Sequence, residues 1–245
     1  MQSSRSRRAE LDRLGAVPFA HRGLHGPGIA ENSRAAFLAA IEAGHGIELD
    51  VQASADGEAM VFHDYTLERL AEGEGTVARR SSAQLRAIRL KDSEETIPTL
   101  PEILALVAGR RPVLVEVKSP DRHIAGLCLA VFRALEGYRG PLGVMSFNPA
   151  VGRWFARNAP LVLRGLVVTE SDRRGARGRI ERHLALWIAK SDFLAYDIRD
   201  LPSRFASAQR RRGIPVFTWT VRTQADRAAA ALHADQPIYE AADQA

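Results

Sequence analysis

Ionisable residues in this chain fall at the ends of short apolar runs. Val17-Pro-Phe-Ala20 leads into His21-Arg22-Gly23, Ile47–Val51 carries Glu48 and Asp50, and Val113–Val117 carries Glu116 with Lys118 just beyond. His63-Asp64 closes another such run. Residues two apart on a strand point to the same side, so Glu48 pairs with Asp50 and Glu116 with Lys118. Charges inside strands are costly unless they are paired or bound to something. Three carboxylates, Glu48, Asp50 and Glu116, with no thiol nearby favour a hard divalent cation, Mg²⁺ or Ca²⁺, with positions left for substrate and water. Simple ion pairing with Arg22 and Lys118 is the plain alternative, but it leaves unexplained why two histidines share the place. His21 and His63 titrate near neutrality, so one can deprotonate an attacking hydroxyl or water and the other can protonate a leaving oxygen. A metal together with Arg22 and Lys118 would offset charge on phosphoryl oxygens. The set suits phosphodiester cleavage. No GxSxG elbow, zinc ligand set or G-x-G-x-x-G fingerprint accompanies it.

Such groups meet only if the chain brings strand ends to one rim. Strand-like runs at 17–20, 47–51, 113–117, 142–146, 164–168, 193–196, 215–220 and 237–239 alternate with helical patterns at 33–43, 100–108, 124–135, 148–158, 180–190, 202–212 and 223–233. Eight strands with helices between them predict a (β/α)₈ TIM barrel, in which functional residues gather where strands end. Thr99-Leu-Pro-Glu102 is a capping-box pattern opening one of those helices. Asp56-Gly57 signals a tight hairpin. Pairing Ala55 with Glu58 would set Asp50 opposite His63. A hairpin is antiparallel and cannot supply a barrel strand, so 52–97 is expected to be an insertion within a single domain spanning 1–245.

A chain of 245 residues with 46% apolar content can bury a large core. One cysteine, Cys128, excludes an internal disulfide and fits a reducing, cytoplasmic setting. No run approaches the ~18 apolar residues of a membrane span, and no secretory signal or stable membrane insertion is expected. The net charge of +5 arises from arginine runs at 173–179 and 210–212. Without interleaved aromatics these argue against nucleic-acid binding. A positive field would steer an anionic substrate.

The ordered set Ala20-His-Arg-Gly23, Glu31-Asn-Ser33, Ile47-Glu-Leu-Asp-Val51, Asp56-Gly57, Val61-Phe-His-Asp64, Glu116-Val-Lys118, Ser146-Phe-Asn148 and Thr218-Trp-Thr-Val221 resembles the glycerophosphodiester phosphodiesterase family. The resemblance runs from about residue 17 to 221. It implies a barrel with an insertion after its second strand, and hydrolysis of a small-molecule glycerophosphodiester to glycerol 3-phosphate and an alcohol. It implies His21 and His63 as the acid–base pair, Glu48, Asp50 and Glu116 as ligands of Mg²⁺ or Ca²⁺, and Arg22 and Lys118 as phosphate contacts. Phe147 and Trp219 would line the substrate pocket, or else belong to the core. Asn32 would brace the mouth. Ala30, Arg222 and the closing Ala234–Glu240 depart from the family's commoner pattern, which bears on substrate choice and on the eighth strand. Lysophospholipase D-like cleavage is the neighbouring enzymatic alternative. A barrel that binds anions without catalysis is the non-enzymatic one. The oligomeric state is left open.

Overall fold

The computed structural model describes residues 4–119, 123–171 and 173–240. Eight parallel strands form a closed ring: β1 (Phe19–His21), β2 (Gly46–Ala53), β4 (Val113–Val117), β5 (Leu142–Ser146), β6 (Leu163–Val168), β7 (Phe193–Asp197), β8 (Val216–Val221) and β9 (Gln236–Tyr239). Each pairs with the next, and β9 pairs with β1 to close the barrel. The eighth expected strand, 237–239, is therefore the closing stave. The extra strand β3 (Ala59–Val61) runs antiparallel to β2 and stays outside the ring. Helices α2 (Arg34–Glu42), α4 (Leu100–Val107), α5 (Ala125–Ala134), α6 (Pro149–Asn158), α7 (Ala176–Ala189), α8 (Arg204–Arg211) and α9 (Gln224–His233) connect the staves. Thr99 accepts the Glu102 backbone N–H while Glu102 accepts that of Thr99, so the capping box starts α4 as its sequence predicts. Helix α7 begins a turn earlier than its apolar pattern suggests.

Alternation along each stave sorts side chains between two cores. Val51, Val113, Val115 and Val117 face outward and pack under α2, α4 and α5. Phe19, Leu114, Met145, Phe193, Phe217 and Ile238 face inward and fill the lower barrel. Small residues make that layer possible. A Cβ on Gly165 would lie 2.3 Å from the Phe193 ring, and one on Gly143 would lie 2.8 Å from Leu14.

Leu14 comes from α1 (Ser4–Leu14), a helix not anticipated from the sequence. Leu11 and Leu14 join the inward-facing aromatics and close the bottom of the barrel. The basic start of the chain is thus largely helical, apart from residues 1–3, which lie outside the described ones.

The segment after β2 has its own small core of Met60, Phe62, Leu67, Val77, Leu85, Leu90 and Ile97, and contains the short helix α3 (Ser82–Arg86). Its hairpin register differs by one residue from the expected one. Val51 pairs with Val61 and Ala53 with Ala59, so Asp50 opposes Phe62 rather than His63. The cause is local. Asp56 accepts hydrogen bonds from the Ser54 hydroxyl and from the backbone N–H and hydroxyl of Ser82, and Ala55 N–H donates to Arg80 O at 2.8 Å. Ala55 is thereby drawn out of the ladder, leaving a three-residue loop with Gly57 at φ +82°.

Candidate active site

The barrel alternation that buries phenylalanine at the bottom places acid at the top. His21 sits beside Glu48 in the β1–β2 register, and Asp50 beside Glu116 in the β2–β4 register. All four side chains therefore enter the barrel from the strand ends. Glu48, Asp50 and Glu116 each offer an oxygen within 4.8 Å of the others. Glu48 and Asp50 are 1% exposed. Burial, with Asp50 and Glu116 beside it, pushes the Glu48 carboxyl well above the usual range. Burial also raises Glu116. Burial acts the same way on Asp50, but Lys118 and Arg22 outweigh it and hold that group ionised below its ordinary value.

Two cations stand against the three acids. Lys118 Nζ lies 3.1 Å from Glu116 and 3.4 Å from Asp50. Arg22 Nε lies 3.2 Å from Asp50, its Nη1 donates to Glu31 at 2.8 Å, and its backbone N–H donates to Glu48 at 3.1 Å. That last bond depends on the left-handed backbone of Arg22, φ +56°. Asn32, also left-handed, donates its amide to Asp50 at 3.1 Å and accepts the Asp50 backbone N–H. Buried acids without enough positive charge are destabilising, and here Lys118 and Arg22, the latter shared with Glu31, are outnumbered by the carboxylates they face. An all-oxygen donor set with residual negative charge fits a hard divalent cation.

Each histidine is aimed by a carboxylate that an arginine in turn holds. His21 Nδ1 lies 2.7 Å from Glu240, and Arg222 donates to both oxygens of Glu240 at 2.6 and 2.8 Å. His63 Nδ1 lies 2.6 Å from Asp64, which Arg69 grips at 2.5 and 2.7 Å. With Nδ1 committed to an acid, Nε2 is the nitrogen left for proton exchange. Burial holds both imidazoles below their ordinary pKa, against the opposing pull of Glu240 on His21 and chiefly of Asp50 on His63. Both are thereby biased toward the neutral form at pH 7, ready to accept a proton. Gln52 donates to the carbonyls of Phe62 and Asp64 at 2.8 and 2.7 Å, which fixes the backbone that carries His63.

A cavity of about 400 Å³ opens at this rim. His21, Arg22, Glu48, His63, Glu116 and Lys118 line it together with Phe147, Trp219 and Arg199. Phe147 is half exposed and meets Trp219 edge to face, with centroids 5.5 Å apart. Trp219 is fixed by its indole N–H donating to Ala195 O at 3.0 Å. Asp50 does not line the cavity.

The model of the "Glycerophosphoryl diester phosphodiesterase family" matches residues 21–238 of this chain. The chain belongs to that family. A glycerophosphodiester phosphodiesterase of Caldanaerobacter subterraneus is 30% identical over 219 residues, covering 85% of this chain and 86% of its own. Among solved structures, an Oleispira antarctica phosphodiesterase in complex with the product sn-glycerol-3-phosphate superposes with a TM-score of 0.80 at 23% identity, covering 92% and 93% of the two chains. A Silicibacter pomeroyi putative glycerophosphoryl diester phosphodiesterase gives 0.79 at 24% identity, covering 94% and 93%. At those identities the structural likeness speaks for the shared barrel.

In this phosphodiesterase His21, Arg22, Glu48, Asp50, His63, Glu116 and Lys118 converge, and Phe147 and Trp219 line the same cavity. His63 reaches the rim although the hairpin register is shifted, because the pairing with β2 ends at Phe62 and the chain turns at His63 and Asp64. Arg22 and Lys118 contact the acids directly as well as the cavity, so the plain ion-pair reading describes part of what they do. Glu240, Arg222, Arg69 and Gln52 were not picked out as site residues from the sequence. Glu240 follows the last barrel strand, the position where rim residues belong, but the weak apolar signal of Gln236–Tyr239 obscured it.

Proposed function

We propose that this chain hydrolyses glycerophosphodiesters to glycerol 3-phosphate and an alcohol, using His21 and His63 for proton transfer beside a divalent cation, Mg²⁺ or Ca²⁺, held by Glu48, Asp50 and Glu116. One observation carries the reading: three clustered buried carboxylates share the rim with two imidazoles, each oriented by its own arginine-held acid. When bound, the cation would supply positive charge against the phosphoryl oxygens and bring an oxygen nucleophile toward neutral-pH reactivity. Arg22 and Lys118 would bind the non-bridging oxygens and stabilise the charge that grows on them. One histidine Nε2 would take the proton of the attacking hydroxyl, whether water's or the glycerol's own. The other, in its protonated form, would deliver the Nε2 proton to the departing alkoxide, and the proton taken from the nucleophile restores the pair's total. Phe147 and Trp219 would pack against the organic part of the diester and keep water from it. The 1–245 chain would act as a single domain, with 52–97 contributing His63. Cys128 is buried with its thiol pushed up to about 12 by burial, in keeping with a structural cysteine in a cytoplasmic enzyme.

A second reading, lysophospholipase D-like cleavage, is favoured by a groove of about 590 Å³ that meets the active-site cavity at Phe147, with Leu166, Val167, Val168 and Ala185 along part of it and Arg173, Glu181 and Arg182 along the rest. Its apolar part could take the start of an acyl chain.

A metal-by-substrate matrix with product identification tests both. Glycerol 3-phosphate released from glycerophosphocholine, dependent on Mg²⁺ or Ca²⁺ and abolished by chelation, is the expected result. His21→Ala and His63→Ala should each lower kcat by about 10²–10⁴-fold. Full activity in either folded variant would sink the assignment. Preference for a lysophospholipid over its deacylated counterpart would select the second reading.

A further inference from the structure

The outer face of α7 is apolar where a barrel helix should be polar. Ile180, Leu184 and Trp187 recur at i, i+4 and i+7, so they share one face, and they are 68, 52 and 74% exposed. The same helix already buries an inner face, where Ala185, Leu186 and Ala189 pack on β6 and β7. The outer stripe is thus a second apolar face without a partner, larger than scattered surface residues require.

Cations flank it. Trp187 shares a shallow recess of about 280 Å³ with Arg153 and Arg157 of α6 and Lys190 just past the end of α7, and no acid lines that recess. None of these three cations has a carboxylate partner within ion-pair distance among the described residues. At the other end of the helix Arg177 is 94% exposed on its side chain and reaches Glu181 at 3.0 Å.

We infer that this face docks reversibly on an anionic lipid surface, with Ile180, Leu184 and Trp187 entering the headgroup boundary and Arg153, Arg157 and Lys190 meeting lipid phosphates. An exposed indole beside basic residues is the composition suited to that boundary, where the ring is half solvated and the charges reach anionic headgroups. Among the described residues no helix is long and apolar enough to cross a membrane, so the contact is superficial. A second copy of the chain is the poorer occupant. A two-fold contact sets the same patch against itself, and the recess around Trp187 has no acid to meet its own three cations. Helix α7 follows the loop leaving the rim end of β6, so the stripe descends the barrel's flank from the side of the mouth. Docking would lay the barrel on this flank and leave the mouth uncovered. The inference stands whatever diester the site turns over.

Co-sedimentation with phosphatidylcholine/phosphatidylglycerol vesicles tests it, with pure phosphatidylcholine vesicles as the comparison. The protein should bind the mixed vesicles, release as salt rises, and show a blue shift in tryptophan emission that is lost in Trp187→Phe. Arg153→Gln/Arg157→Gln/Lys190→Gln should weaken binding on the order of a hundredfold. Ile180→Ser/Leu184→Ser/Trp187→Ser should abolish it. Both triple variants should keep the wild-type melting temperature and wild-type turnover of a small soluble diester. Absence of binding to mixed vesicles would overturn the inference. So would binding indifferent to the apolar triple variant, or concentration-dependent self-association that the apolar triple variant removes.

Discussion

Two imidazoles at one rim differ in how firmly they are held, and the difference lies in the residues behind them. His21 is buried, on a barrel strand, with Glu240 and Arg222 behind it from the end of the chain. His63 is partly exposed, on the segment that leaves the β3 hairpin, with Asp64 and Arg69 behind it. Glu31 joins the halves by accepting from both Arg22 and Arg69, so the His63 network runs on to the guanidinium at Asp50. A carboxylate on Nδ1 fixes both the ring orientation and the tautomer that exposes Nε2 for chemistry. Glu240→Gln keeps the side chain's shape but removes the charge, and a flipped amide would favour the wrong tautomer. The expected outcome is a kcat about 10- to 100-fold lower with KM within about twofold, the size seen when groups behind a functional histidine are lost. Steady-state kinetics with circular dichroism on the same sample read it. A raised KM at unchanged kcat would show instead that Glu240 serves binding.

At the scale of elements, the barrel divides into a lower half that is stable because it is apolar and an upper half that works because it is not. Helix α1 belongs to the lower half. Leu14 is fully buried among inward-facing aromatics whose rings lie 5.1–5.5 Å apart. Leu14→Ala should therefore cost about 2–5 kcal/mol through lost contacts and a residual cavity, lowering the melting temperature by roughly 5–15 °C for a domain of this size. KM at 25 °C should not change, because the rim lies at the other end of the strands. A melting temperature within a degree of wild type would mean that α1 does not close the barrel. This helix was invisible in the sequence because Ser4–Leu14 offers few apolar residues among many charges. Its burial is supplied by the open barrel end rather than by its own pattern. The staves were legible because parallel barrel strands are apolar on both faces and each is followed by an amphipathic helix. The rim acids and histidines were legible because strands otherwise made of valine, leucine and isoleucine have no packing reason to contain them. The hairpin register was not legible. It depends on Ser82 and Arg80, remote in sequence, competing for Asp56 and Ala55. Glu240 was hidden for a related reason, since its role comes from barrel closure between β1 and β9 and not from any local motif.

Across the whole molecule, the same ion pairs that orient the site make its stability depend on acidity. Hydrogen bonds from Arg69, with His63 adding to them, hold Asp64 at about 2. Burial works to raise Glu240, but His21 and Arg222 prevail and hold it at about 2 as well. In the unfolded chain such groups titrate near ~3.9 and ~4.3. A carboxyl whose folded pKa is depressed stabilises the fold at every pH above its unfolded value, and that contribution disappears as pH falls through the folded value. The window is therefore about pH 4 down to about pH 2, and both groups act in the same direction. Both side chains keep some solvent contact, so salt should weaken the effect. Thermal melts in the metal-free state should show a melting temperature that is level from about pH 7 to 5 with respect to these two acids, and that drops steeply below about pH 4. Asp64→Asn/Glu240→Gln should start lower at pH 6 and fall less steeply, so that the two curves converge near pH 2. Parallel curves, separated equally at pH 6 and pH 2.5, would show that the stabilising arginine contacts do not require charged carboxylates, and would remove the electrostatic basis for the way both histidines are held.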